Sequence, residues 1–358
     1  MSHRLTIEWL QPATSHLLTT RQFIYLNLMR YLITGATGFV GGHLAAACVR
    51  REHTLSAIVR PKSDSSELEK LGGIVHRGEL SDPNVVRHAA TDADVIVHCA
   101  AKVGDWGPID EYRQANVDTL RVLLETCKDQ ALTRFIHMSS LGVYAARHHH
   151  GTNETEPLPK RHRDSYSQSK AEAEQLAQHY YREFGVPVVI LRPGFVYGPR
   201  DRTVMPRIID GLRHGRLRYP GGGMGALNTV FVDNLIDAVF LAVDNDKAVG
   251  EAYNLTDGEM VSKRKFIETI ADAMGLPHPT RTPPLWLAWT VTWFTEKLAR
   301  LRGAKEAPLF NFARLKFMGY NLEFSIQKAM NDLGYRPRVN FEEAIGETMA
   351  WYKKHYAE

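Results

Sequence analysis

The sequence predicts an α/β fold, a doubly wound parallel sheet followed by a smaller, mainly helical lobe. Three observations carry this prediction. Short β-rich runs alternate with helical segments from Tyr31 to Arg192. Several of those runs are apolar throughout rather than alternating, as strands buried on both faces must be. After Arg192 the rhythm stops: Pro193, Gly194, Gly198, Pro199 and Gly221-Gly222-Gly223 crowd the chain, and helical composition dominates the remainder.

In order along the chain, strands are expected at 31–34, 55–59, 74–76, 95–98, 135–138 and 188–191, with helical composition at 44–51, 119–128 and 171–184 between them. Two later runs, 229–232 and 252–255, also read as strands and are expected to return to the main sheet. The expected organisation is an N-terminal extension at 1–28, a dinucleotide-binding unit at 29–200, and a substrate lobe at 201–358 into which about 229–255 is threaded. The extension reads as an appended or mis-assigned leader, because Met29 is followed at once by the first strand and no apolar signal core precedes it.

A chain of 358 residues with a net charge of +4 gives no reason to expect nucleic acid as a partner. Cys48, Cys99 and Cys127 share no ligand spacing and read as reduced thiols in apolar surroundings, consistent with a cytoplasmic setting. No metal is expected; the tract His148-His149-His150 reads as an exposed loop tip. No apolar run reaches the length of a membrane-spanning helix.

The segment Thr34-Gly35-Ala36-Thr37-Gly38-Phe39-Val40-Gly41 leaves the first strand and opens a helix. Glycines there allow a sharp turn, close approach of the backbone to a pyrophosphate, and tight helix–strand packing. The phosphates would lie over the positive end of the helix. The second strand ends in Arg60-Pro61-Lys62, where an acidic residue would grip a ribose 2′-hydroxyl; a guanidinium suits a 2′-phosphate, so NADP(H) is favoured over NAD(H). Glu79 and Leu80 follow the third strand and Ala100 and Ala101 the fourth, all at carboxyl ends where ligands bind in such sheets.

Tyr166 and Lys170 stand four apart, on one face of a helix. With 14 tyrosines in the chain such a pair means little alone, but this one opens the helix between the fifth and sixth strands. A phenol titrates near 10, too high for a good base at neutrality, and a lysine cation beside it is expected to lower that value. Ser140, at the end of the fifth strand, is the expected hydrogen-bond donor to the reacting oxygen, with Ser139 second.

The motifs TGATGFVG, SSLGVY, YSQSK and LRPGFVYGP, in that order, together with LGYRP at 333–337, resemble the extended short-chain dehydrogenases from about Met29 to the end. The resemblance implies a Rossmann-like domain with a C-terminal substrate lobe, and a catalytic Ser140–Tyr166–Lys170 triad in which Lys170 also serves the cofactor. It further implies that backbone around Pro193, Gly194 and Val196 faces the nicotinamide, that Asn116 is structural, and that a homodimer would form through the fourth and fifth helices.

Within that superfamily, residues 100–107, 206–215 and 301–303 look most like the 3β-hydroxysteroid dehydrogenases and the 2-alkyl-3-oxoalkanoate reductases. The expected activity is therefore interconversion of a ketone and a secondary alcohol on a lipophilic substrate. Two rivals are a sugar-nucleotide epimerase or dehydratase and a non-catalytic NADP(H) sensor. Asn228, where nucleotide-sugar enzymes usually carry arginine, counts against the first; an intact Tyr–Lys pair counts against the second. Finally, 285–294 forms an apolar helix with Trp286, Trp289 and Trp293 on one side. It reads first as a core or lid helix, then as a substrate wall, or as a peripheral membrane contact through 285–301 aided by Arg300, Arg302 and Lys305.

Overall fold

The computed structural model describes residues 28–356; apart from Leu28, the expected leader at 1–28 lies outside them. Seven parallel strands form the main sheet: β1 (Arg30–Thr34), β2 (Thr54–Val59), β3 (Ile74–Arg77), β4 (Val95–His98), β5 (Arg134–Met138), β7 (Val188–Pro193) and β10 (Ala252–Leu255), in the order β10-β7-β5-β4-β1-β2-β3. Chain order reverses between β1 and β4, which opens a crevice at the carboxyl edge. β4 and β5 are buried at every position, so their apolar runs have the cause the sequence suggested. Leu32 faces one core, while its neighbours Tyr31 and Ile33 face the other. Helices therefore cover both sides.

Four short strands lie outside this sheet: β6 (His149–Thr152) pairs with β11 (Leu322–Phe324), and β8 (Phe195–Tyr197) with β9 (Thr229–Phe231). The expectation that both late strands join the main sheet thus holds for β10 and fails for β9. The cause is a contact at Gly194, where a Cβ would stand 1.9 Å from the Asn228 carbonyl oxygen. That oxygen accepts a hydrogen bond from the Phe195 amide at 2.7 Å, which registers β9 against β8. The histidine tract also departs from expectation. His149 lies in β6, is buried, and packs its ring 4.5 Å from that of Phe324. His148 and His150 are exposed. Among the described residues, no cluster of potential ligands suits a metal.

The helix Ser165–Phe184 fixes what lies above the crevice. Asp164 caps it, accepting from the Ser167 amide at 2.7 Å, and Gly185 ends it in the left-handed conformation at φ 71°. Its buried Glu174 meets Arg192 of β7 as a bidentate pair, accepting from Nη2 at 2.6 Å and from Nε at 2.9 Å. Glu174 also accepts from the Ser139 hydroxyl at the end of β5, and Arg192 donates to the Tyr144 hydroxyl at 2.9 Å. Two charges out of water are tolerated because each polar side-chain atom of the pair has a hydrogen-bond partner. Glu174→Ala is expected to cost about 3–5 kcal/mol, because it leaves a buried guanidinium unpaired. Urea unfolding checks it: a lowered midpoint is expected, with much of the loss recovered when Arg192 is replaced by Met as well.

Candidate active site

The carboxyl edge of the sheet gathers nearly all the residues singled out in the sequence. Gly35, Thr37, Gly38, Phe39, Val40 and Gly41 form the turn from β1 into the helix Phe39–Arg50. Arg60 follows β2, Glu79 and Leu80 follow β3, Ala100 and Ala101 follow β4, Ser140 follows β5, and Pro193 closes β7. Val196 lies one step further on, in β8.

The glycine turn is tight. Gly35 has φ 72°, and a Cβ on it would stand 2.7 Å from the Ala100 amide nitrogen, so β1 and β4 pinch together at the reversal point. A Cβ on Gly41 would stand 2.3 Å from the Gly35 carbonyl oxygen. Gly38 caps the helix with no side chain, leaving the amides of Phe39, Val40 and Gly41 facing out of its positive end. These features fit a dinucleotide: a bare cradle of backbone donors for a pyrophosphate, with no carboxylate in the turn to repel it.

Tyr166 and Lys170 project from the first turns of the helix Ser165–Phe184. Lys170 Nζ donates to the Met138 carbonyl at 2.7 Å, at the end of β5, and its charge is felt by His98, Cys99 and His137. Burial lowers Lys170 to about 8 and pushes the Tyr166 phenol up to about 12, the neighbouring Ser140 hydroxyl pulling it back in part. The expectation that Lys170 depresses the phenol is thus not met in the chain by itself. The ammonium is engaged with a carbonyl, and loss of water dominates. Burial thus favours the neutral phenol at Tyr166.

The two candidate serines separate cleanly. Ser139 is buried and spends its hydroxyl on Glu174. Ser140 is partly exposed, accepts from the Gly142 amide at 3.0 Å, and lies beside Tyr166, free to donate. Below them, His98 bonds Thr34 at 2.8 Å and stacks on His137, with ring centroids 5.8 Å apart. Burial and the Lys170 charge hold both rings neutral, His98 at about 3.

Asn116 sits on a π-helical turn, Gln114–Asp118, and its amide bonds the backbone of Lys102 and, at 2.9 Å, the Ser169 hydroxyl. It thereby ties the loop after β4 to the helix carrying Tyr166. The sequence reading missed Glu174 and Arg192, although Tyr166, Lys170 and Glu174 at i, i+4 and i+8 mark one helix face. It also missed Lys316, which reaches from the helix Phe312–Gly319 to donate to the Gly142 and Tyr144 carbonyls at 2.7 and 3.1 Å.

Over residues 31–256 the chain matches the family described as NAD dependent epimerase/dehydratase. It belongs to that family. The chain is an NAD(P)-dependent dehydrogenase/reductase of the extended short-chain type. It is 32% identical over 330 residues to a 2-alkyl-3-oxoalkanoate reductase of Stenotrophomonas maltophilia, covering 88% of this chain and 97% of that one. It is 29% identical to a 3 beta-hydroxysteroid dehydrogenase/Delta 5-->4-isomerase of Mycobacterium tuberculosis, covering 91% of each. The crystal structure of gox2253 superposes with a TM-score of 0.77 at 29% identity, over 91% of this chain and 98% of that one. These likenesses agree with the branch that the sequence motifs indicated.

Gly41→Ala is expected to weaken dinucleotide binding by at least about tenfold, because its Cβ would force the cradle open. Titration of bound NADPH fluorescence checks this, with circular dichroism to show the fold intact.

Proposed function

We propose that this chain is an NADP(H)-preferring oxidoreductase that interconverts a ketone and a secondary alcohol on a lipophilic substrate of the β-keto acid or sterol type, with Tyr166 as general acid and base. The observation that carries this is the meeting of Ser140, Tyr166 and Lys170 over the ends of β4 and β5, beside the glycine cradle. The substrate class draws on the relatives, whose names are those of a 3-oxoalkanoate reductase and a hydroxysteroid dehydrogenase. When bound, the nicotinamide would supply or accept the hydride at the reacting carbon. Ser140 would donate a hydrogen bond to the substrate oxygen, and Tyr166 would deliver or remove its proton. Lys170, held by the Met138 carbonyl, is placed to grip the cofactor's ribose and to favour a phenolate when one forms.

Burial pushes the Tyr166 phenol up to about 12, so at neutral pH it holds the proton that a ketone oxygen takes up on reduction. A nucleotide-sugar substrate is disfavoured by Asn228, whose carbonyl is spent on Phe195 and which offers no guanidinium for a diphosphate. The preference for NADP(H) rests on the basic end of β2. There Arg60 and Lys62 are joined by Arg200 and Arg202, whose charges act on Glu67 and Asp64 in the segment after β2.

The deciding experiment follows NADPH and NADH absorbance with β-keto acids and 3-keto-steroids. Tyr166→Phe is expected to abolish turnover of any reduced substrate while sparing NADPH binding. Co-purified NAD(H) with turnover of a UDP- or dTDP-sugar would overturn the proposal. Arg60→Ala is expected to weaken NADPH binding by about 10- to 100-fold and NADH binding little, as loss of a charged hydrogen bond to a 2′-phosphate requires. Parallel titration of the two cofactors measures this.

A further inference from the structure

The helix Leu285–Leu301 is turned inside out. Its buried residues are Thr292 and Glu296, both polar. Glu296 accepts from the Phe312 amide at 2.6 Å and from Arg300 at 3.2 Å, and Thr295 donates to the Phe310 carbonyl at 2.7 Å. The large apolar residues point the other way: Trp286 is 70% exposed, Phe294 62% and Leu301 77%, with Leu287, Trp289, Trp293 and Leu298 also exposed. At 100° per residue they cover about half of the helix circumference. Of the readings of this stretch, core or lid helix first, the core one fails, because its polar face makes the internal bonds. An exposed apolar face this continuous marks a binding surface.

We propose that this face docks on an anionic lipid surface and seats the entrance of the catalytic cleft against it. Charge selects the partner. Lys297 lies 4.9 Å from the Trp293 ring and Arg300 5.7 Å from the Trp106 ring, and exposed Arg302 and Lys305 follow, against one exposed carboxylate, Glu306, in the same stretch. Tryptophans rimmed by lysine and arginine suit the boundary between acyl chains and anionic headgroups. No helix among the described residues is long and apolar enough to cross a membrane, so the contact is peripheral.

The face is also wired to the cleft. The Trp106 indole donates to the Ala304 carbonyl at 2.9 Å. Arg163, three residues before Tyr166, stacks its guanidinium over Phe312 and Trp289 at 4.6 and 5.5 Å. The next helix holds the loop after Ser140 through Lys316. A lipophilic ketone dissolved in the membrane would thus meet the site without crossing water. This delivery role rests on the oxidoreductase proposal; the docking does not.

The full chain is sedimented with vesicles of phosphatidylcholine alone and of phosphatidylcholine mixed with phosphatidylglycerol, with tryptophan fluorescence read in parallel. Partition onto the mixed vesicles is expected, with a blue shift. Both Phe294→Ser/Leu301→Ser and Lys297→Glu/Arg302→Glu should reduce the partition coefficient by at least about tenfold. These side chains are exposed, so circular dichroism should be unchanged. Three results would each overturn the proposal: partition equal in wild type and the Phe294/Leu301 variant; self-association without vesicle binding, abolished by the same substitutions, which would make a second copy the occupant; and partition that emerges only when residues 1–27 are removed, which would make that segment the cover. Partition is measured without turnover, so its failure leaves the proposed chemistry untouched.

Discussion

One buried ion pair sets the geometry on which the chemistry depends. Glu174 and Arg192 are out of water, and such a pair adds little net stability, since desolvation consumes most of the attraction. Its effect is positional. It locks the long helix to β7, takes up the Ser139 hydroxyl at the end of β5, and through Tyr144 reaches Asn254 of β10 at 2.9 Å. Lys170 and Tyr166 lie one and two turns before Glu174 on the same face, so fixing the carboxylate fixes them. Asn116 does the complementary work from the other side, holding the loop after β4.

The same exclusion of water tunes the site. Tyr166, Lys170, His98 and His137 all shift toward their neutral forms because the charged forms are poorly solvated there. One cation among neutral neighbours leaves a site whose state responds strongly to any charge brought into it. The stacked histidines of β4 and β5 are polar groups in a buried layer, and both ring nitrogens of His137 lack a hydrogen-bond partner. Rigid packing tolerates such a group only where the surrounding strands hold it in place.

The C-terminal elements repeat the theme in reverse. The helix Leu285–Leu301 spends its polar side chains on the protein and leaves its apolar ones outside, whereas Val232–Val243, mostly apolar, is buried against the main core. Hydrophobicity alone does not say which of two apolar helices goes inside; available partners for the polar residues do. Glu296 finds the Phe312 amide and Thr295 the Phe310 carbonyl, and the helix orients accordingly.

By itself the sequence determined the sheet, its parallel sense, the glycine cradle and the pairing of Tyr166 with Lys170. Each of these rests on local period or on neighbours a few residues apart, which chain composition records directly. Tertiary structure alone decided the place of β9, the burial of His149, the engagement of Ser139 with Glu174, and the outward face of the tryptophan helix. Those outcomes turn on contacts between residues far apart in the chain: Gly194 with Asn228, His149 with Phe324, Ser139 with Glu174, Glu296 with Phe312. The sign of the Tyr166 shift was hidden for the same reason, since the water a side chain loses is set by everything that folds over it.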